Sequence, residues 1–280
     1  MSNHILIEKK IAKFNKQIIV SSDKSISIRS VLLASQAVGV SKISNLLESE
    51  DVLNTLKAVK KLGIQCKKRG SIYSIEGFGL NGFNTNKKIT INAGNSGTLA
   101  RLILGLLIKS KKRVKLIGDK SLSKRDFSRV IKPLRKFGAN IKSKKNLLPI
   151  EILGSEFLRP ITYEENIGSA QVKSCMILAA LNVPGISVFN TKVSRNHTEL
   201  MLKFLKYPLK IKKRMGNELI SIKGLNQFKG FNYIVPGDIS SASFFIVLTL
   251  LSKNSKIVIK NVNVNESRVG IINILNKMGA

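Results

Sequence analysis

Two cations and several hydroxyls crowd the run Ser21-Ser22-Asp23-Lys24-Ser25-Ile26-Ser27-Ile28-Arg29, directly after the apolar Ile18-Ile19-Val20. A helix beginning near Asp23 would set Ser25 and Arg29 one turn apart on one face, beside the unpaired N–H groups of its first turn. The helix dipole favours negative charge at that end, arginine offers a planar fork to carboxylate or phosphate, and lysine adds a compact charge. The chemistry on offer is anion binding. Ser and Asp are also favoured at helix starts for capping alone, so the run by itself equally fits a capped surface helix.

Four further runs have the same character. Asn92-Ala93-Gly94-Asn95-Ser96-Gly97-Thr98-Leu99-Ala100-Arg101 is a small polar turn leading into the apolar stretch 102–108. Its glycines permit close approach to a ligand, but the Gly-Lys-Ser/Thr ending of a Walker loop is absent. Gly118-Asp119-Lys120-Ser121-Leu122-Ser123-Lys124-Arg125-Asp126 sets Arg125 ahead of a helix. Gly168-Ser169-Ala170-Gln171-Val172-Lys173-Ser174 opens the apolar stretch 175–181, with Ser169 able to cap and Gln171 and Lys173 able to face a ligand. Ser194-Arg195-Asn196-His197-Thr198-Glu199 precedes another helix, in which Thr198 and Glu199 read as ordinary first-turn residues. Each run alone reads as a capped turn. Their recurrence at helix starts suggests one pocket for a multiply anionic small molecule, provided those starts converge.

The elements that would position these runs repeat. A helical segment, a break, an alternating strand and a second strand ending near glycine occur at 56–77, 131–154 and 201–224. The spacing of roughly 70 to 75 residues exceeds solenoid periods, so each copy is expected to be a compact α+β unit. Gly63 and Gly138 follow helices where a left-handed cap is expected. A fourth copy starts at 269–280 without a following strand pair, which is the pattern expected of a truncated product.

With 280 residues, 43% of them hydrophobic, the chain can bury a core in one large or two ordinary domains. The 48 basic and 16 acidic residues give a formal charge of +32. Lysines recur in pairs, as at Lys9-Lys10, Lys67-Lys68, Lys87-Lys88 and Lys144-Lys145, which suits solvated faces and a general attraction for anionic substrates better than a nucleic-acid tract. Cys66 and Cys175 lack metal or redox spacing and read as buried free thiols of a reducing cytosol; His4 and His197 cannot make a zinc or iron cluster. Residues 1–10 lack a secretory pattern, and the apolar stretches 102–108 and 244–251 are too short to span a bilayer. A soluble, cytoplasmic protein is expected.

Asp23-Lys24-Ser25-Ile26-Ser27-Ile28-Arg29, Asn95-Ser96-Gly97-Thr98, Lys124-Arg125, Ser169-Ala170-Gln171 and Val235-Pro236-Gly237-Asp238-Ile239-Ser240-Ser241-Ala242 together resemble the 3-phosphoshikimate 1-carboxyvinyltransferase family, the EPSP synthases. The resemblance spans the chain but only about the first two thirds of a typical member, in keeping with the repeat pattern. It implies an α+β, enolpyruvyl transferase-like fold of repeated βαβαββ units in two domains: 22–235 complete, and 1–21 with 236–280 incomplete. It also implies an enzyme that joins the 5-hydroxyl of shikimate 3-phosphate to phosphoenolpyruvate and expels phosphate. Lys24, Ser25, Arg29, Ser169, Ala170, Gln171 and Arg195 would bind shikimate 3-phosphate, and Lys24, Gly97, Arg125 and Gln171 would bind phosphoenolpyruvate.

The resemblance places the chief acid/base carboxylates beyond Ala280, so no catalytic residue is assigned and little activity is expected of the chain alone. Asp238 and Glu266 are the remaining candidates, although Asp238 also reads as a helix N-cap. No cofactor or metal is expected; the implied partners are the two substrates, with a monomer, no specific nucleic acid and no membrane. The Arg-x-His-Thr-Glu and Ser-Ala-Gln-Val-Lys-Ser runs resemble the class often tolerant to glyphosate, while Gly97 stands where some tolerant members carry Ala. The alternatives are a UDP-N-acetylglucosamine enolpyruvyl transferase, whose Lys-Asn motif and loop cysteine have no counterpart here, and a lysine-rich nucleic-acid-binding protein.

Overall fold

The computed structural model describes residues 12–280, so the readings made at His4, at Lys9-Lys10 and over 1–10 lie outside the described residues. The chain divides into two compact units, one taking the described residues up to Asp23 with Pro236–Ala280, the other Lys24–Val235. Strand β1 (Asn15–Ile19) belongs to the smaller unit. The larger unit then begins with α1 (Lys24–Ala34), β2 (Val38–Ser44), α2 (Glu50–Lys61), β3 (Gln65–Arg69) and β4 (Ile72–Phe78). A second set follows: β5 (Ile89–Asn92), α3 (Gly97–Leu106), β6 (Val114–Ile117), α4 (Ser128–Phe137), β7 (Asn140–Ser143) and β8 (Ile150–Leu153). The third comprises β9 (Thr162–Glu165), α5 (Ala170–Ala180), β10 (Ile186–Lys192), α6 (His197–Phe204), β11 (Leu209–Arg214) and β12 (Asn217–Lys223), after which β13 (Asn232–Ile234) ends the unit. The chain returns to the smaller unit with α7 (Ile239–Leu251), β14 (Lys256–Lys260) and α8 (Gly270–Lys277).

The larger unit holds three four-stranded sheets of one design, ordered β13-β2-β4-β3, β5-β6-β8-β7 and β9-β10-β12-β11. In each, the first pair is parallel and the other two are antiparallel. The second and third sets are therefore βαβαββ units in chain order. The first borrows its leading strand from the far end of the unit, where Asn232 pairs with Lys42, so the unit closes on itself.

Why each repeat ends on glycine is steric. A Cβ on Gly77 would run into the carbonyl oxygens of Ala34 and Ala37; one on Gly154 would meet Ser110 N and Ile108 O; one on Gly224 would meet Val183 O and Ala180 O. Each glycine thus lets the last strand pass against the C-terminal end of that repeat's first helix. Gly63 and Gly138 take positive φ after α2 and α4, as the capping argument expects.

Helices α1 and α5 each bury nine of eleven residues and α3 eight of ten, whereas α2 and α4 keep one charged face. A helix apolar all round has no solvent face and belongs inside. One continuous core runs from Ile26 to Val235, containing Cys175; Cys66 is only half-buried. In the smaller unit β1 and β14 form a parallel pair, and the buried apolar residues among those described are Val20, Ile239 and Ala242. Asp238 caps α7 by accepting from Ser240 N at 2.9 Å, and Arg268 Nη2 lies 2.9 Å from its Oδ1. Among the described residues, no helix is long and apolar enough to cross a membrane.

Candidate anion-binding site

Helix α1 starts at Lys24, which puts Ser25 and Arg29 one turn apart as the first run predicts. Arg29 is 4% exposed, and its guanidinium is held from three directions. Nε donates to Thr198 Oγ1 at 2.8 Å, Nη2 to Ser174 Oγ at 2.9 Å, and Nη1 to the carbonyl of Ser25 at 3.0 Å. Thr198 Oγ1 in turn donates to Ser174 Oγ at 2.7 Å. These acceptors are neutral oxygens that orient the guanidinium, and its charge is also felt by the Glu199 carboxyl. Lys24, half-exposed, pairs with Asp51 in the first turn of α2 at 3.0 Å.

A cavity of about 210 Å³ opens at these helix starts. Lys24, Ser25 and Arg29 line it from α1, Thr98 from α3, Ala170 and Gln171 from α5, and Arg195 with His197 from the start of α6. All three repeats contribute, and no lining residue is a carboxylate. A second cavity of about 510 Å³ shares Ala170, Gln171 and Arg195 and adds Arg129, Ser169 and Ser194. Ser169 caps α5 by accepting from Val172 N. Just ahead of it, Glu165 Oε2 accepts from the N–H groups of Gly168 and Ser169 at 2.7 and 3.0 Å while Oε1 takes Arg129 Nη2 at 3.0 Å. Lys24, Ser25, Arg29 and Arg195 therefore meet Ala170 and Gln171 in one cavity, and Ser169 lines its neighbour.

Gly97 and Arg125 line neither cavity. A Cβ at Gly97 would stand 2.8 Å from Arg101 Nη1 and 3.0 Å from Arg125 Nη1, so glycine here leaves room for two guanidinium groups at the head of α3. Arg125 Nη2 donates to Asn95 Oδ1 at 3.1 Å. Arg101 donates to Gln171 Oε1 at 3.2 Å and lies over the Phe127 ring at 4.8 Å, and Gln171 Nε2 donates to Thr98 Oγ1 at 3.0 Å. Burial, with Arg125 and Arg129 close by, pulls the Arg101 guanidinium below its ordinary value. Gathered cations of this kind favour an anion.

Two expectations are corrected. Lys173 does not face a ligand: it is wholly buried, 2.7 Å from Glu199 Oε1 and 2.9 Å from Glu218 Oε2. On a helix surrounded by core, position 173 points inward, and an ammonium there must be paired. Nor are Thr198 and Glu199 ordinary first-turn residues, since both are buried and Thr198 orients Arg29. The sequence reading missed Arg101, Arg129, Glu165 and Ser174 as well. Glu218 carried a usable signal, since the alternation of β12 sets it on the buried face with Ile220 and Ile222. Glu165 carried none.

Three βαβαββ repeats whose helix starts gather cations define an enolpyruvyl transferase-like protein. The family model for EPSP synthase (3-phosphoshikimate 1-carboxyvinyltransferase) matches residues 8–280, and the chain belongs to that family. It is 44% identical over 263 residues to 3-phosphoshikimate 1-carboxyvinyltransferase of Streptococcus mutans serotype c, covering 93% of this chain and 60% of that protein. Identity to the protein of the same name from Ruthia magnifica subsp. Calyptogena magnifica is 45%, covering 93% and 59%. The EPSP synthase structure from Acinetobacter baumannii superposes with a TM-score of 0.87 at 36% identity, over 96% of this chain and 60% of that one. The chain thus spans about 60% of the length of the relatives it matches.

Proposed function

We propose that these residues bind and orient shikimate 3-phosphate for transfer of the enolpyruvyl group of phosphoenolpyruvate to its 5-hydroxyl, with release of phosphate. In this reading Arg29, Ser25, Arg195, Ser169, Ala170 and Gln171 hold shikimate 3-phosphate. Lys24 lies between the two substrates, and Gly97, Arg125 and Gln171 serve phosphoenolpyruvate. The observation that carries it is the Arg29 guanidinium, buried at the cavity wall and fixed by neutral oxygens. A dianionic phosphate there gains charge-assisted hydrogen bonds to a guanidinium already desolvated and held in place. The Lys24–Asp51 pair costs little to exchange, because Lys24 is half in water.

The reaction needs a base for the hydroxyl and an acid for the methylene carbon. The cavity offers cations and no carboxylate, so binding and orientation are what the 280 residues are proposed to supply. Calorimetric titration with shikimate 3-phosphate tests this. The parent chain should give a saturable signal, and Arg29→Ala should weaken it by about a hundredfold, as expected for loss of a buried charged contact. Equal heats for the two proteins would remove Arg29 from the site. Phosphate release at an ordinary enzymatic rate by the chain alone would contradict the division between binding and proton transfer.

A further inference from the structure

We propose that Lys173 is a positioning residue for the cavity. It ties the loop carrying Arg195 and the start of α6 to α5, and so holds Arg195 and Arg29 at the spacing a phosphate requires. The proposal rests on the shikimate 3-phosphate reading above.

The Lys173 ammonium, with no exposure, donates to Glu218 Oε2 on β12 at 2.9 Å and to the carbonyl of Ser194 at 3.3 Å, and forms an ion pair with Glu199 Oε1 on α6 at 2.7 Å. Each neighbour comes from a different segment, and Ser194 is the residue before Arg195. A buried ammonium cannot leave its partners for water, so these three segments are held together. Chain order supplies a second link. Lys173 and Ser174 are consecutive on α5, and Thr198 and Glu199 are consecutive on α6. Lys173 and Glu199 are joined by charge, and Thr198 and Ser174 by hydroxyls that also fix Nε and Nη2 of Arg29. A shift of α6 would therefore move Arg195 and loosen Arg29 together.

Stability does not explain the cluster. Burying one cation with two carboxylates costs desolvation, and replacing such groups by neutral or apolar ones of similar shape is often neutral or stabilising. β12 would otherwise carry a third apolar residue at 218 in register with Ile220 and Ile222. Guanidinium recognition of phosphate, by contrast, fails with displacements of a fraction of an ångström.

The test separates folding from affinity, using the 280-residue chain and shikimate 3-phosphate well below the melting transition. Lys173→Met alone strands two buried carboxylates, so the deciding protein is the neutral triple variant Lys173→Met, Glu199→Gln, Glu218→Gln. It should melt near the parent and still bind at least about tenfold more weakly, the scale expected of misplaced binding groups. Recovery of both melting temperature and affinity would make the cluster merely structural and overturn the proposal. Glu199→Gln, which keeps its shape and leaves Lys173 paired with Glu218, should weaken binding about threefold by loosening α6 alone. Unchanged affinity in that variant would overturn the proposal even if the triple variant did not fold. A parent chain that does not bind shikimate 3-phosphate at all would instead refute the reading of the cavity.

Discussion

Helices α5 and α7 begin alike and end up in different surroundings. Each follows a capping side chain, Ser169 or Asp238, and each runs into a largely apolar stretch. Yet α5 buries nine residues, while α7 buries Ile239 and Ala242 and leaves Phe244 and Leu251 about four-fifths exposed. A largely apolar helix becomes core only where a neighbouring repeat packs against it, as α3 and α4 of the second set pack against α5. The consequence reaches the chemistry. Polar side chains buried on α5 must find distant partners, so Lys173 and Ser174 reach across to α6 and Arg29. On α7, Ser243 and Thr249 bond back to carbonyls of their own helix at 2.7 Å.

The largest test of this contrast is truncation in each unit. Ile103→Ala, at a fully buried position of α3, should cost about 2–5 kcal/mol in denaturant unfolding, whereas Leu251→Ala on α7 should stay within about 0.5 kcal/mol. Similar losses for both would mean that α7 is as well packed as α3. A smaller effect separates charge from packing inside the larger unit. Burial pushes the Glu199 carboxyl above its ordinary 4.5, with Lys173 pulling it back. An acid so raised holds more protons folded than unfolded, so its stabilising contribution is full below pH 4.5 and is lost as pH rises through the folded value. Glu199→Gln has no such titration. The melting temperature of that variant should rise relative to the parent as pH increases from 4.5, and a difference that stays flat with pH would contradict the assignment.

Local features were legible in the chain. The start of α1, the Ser169 cap, the left-handed glycines and the strand alternation each depend on residues a few positions apart. The repeat-ending glycines Gly77, Gly154 and Gly224 marked the period before the structure supplied the carbonyl contacts that require them. What stayed hidden is long-range. Strand β13 is three residues long and joins β2 from 190 residues away, and nothing near Asn232 announces that pairing. Glu165 and Ser174 look like ordinary polar residues until the fold brings them to a helix start or a guanidinium. Lys173 misled for a physical reason: beside Gln171 it reads as site chemistry, and only the enclosure of α5 turns it inward.

The central claim is that helix starts from three repeats of the larger unit form one anion site. Amide hydrogen exchange with and without saturating shikimate 3-phosphate tests it most directly. Without ligand, α7 and α8 should exchange faster than α3 and α5. With ligand, exchange should slow together at the starts of α1, α3, α5 and α6, around Ser25–Arg29, Thr98, Ala170–Gln171 and Arg195–His197. Bound ligand with unchanged exchange at the helix start of any one of the three repeats would contradict the claim.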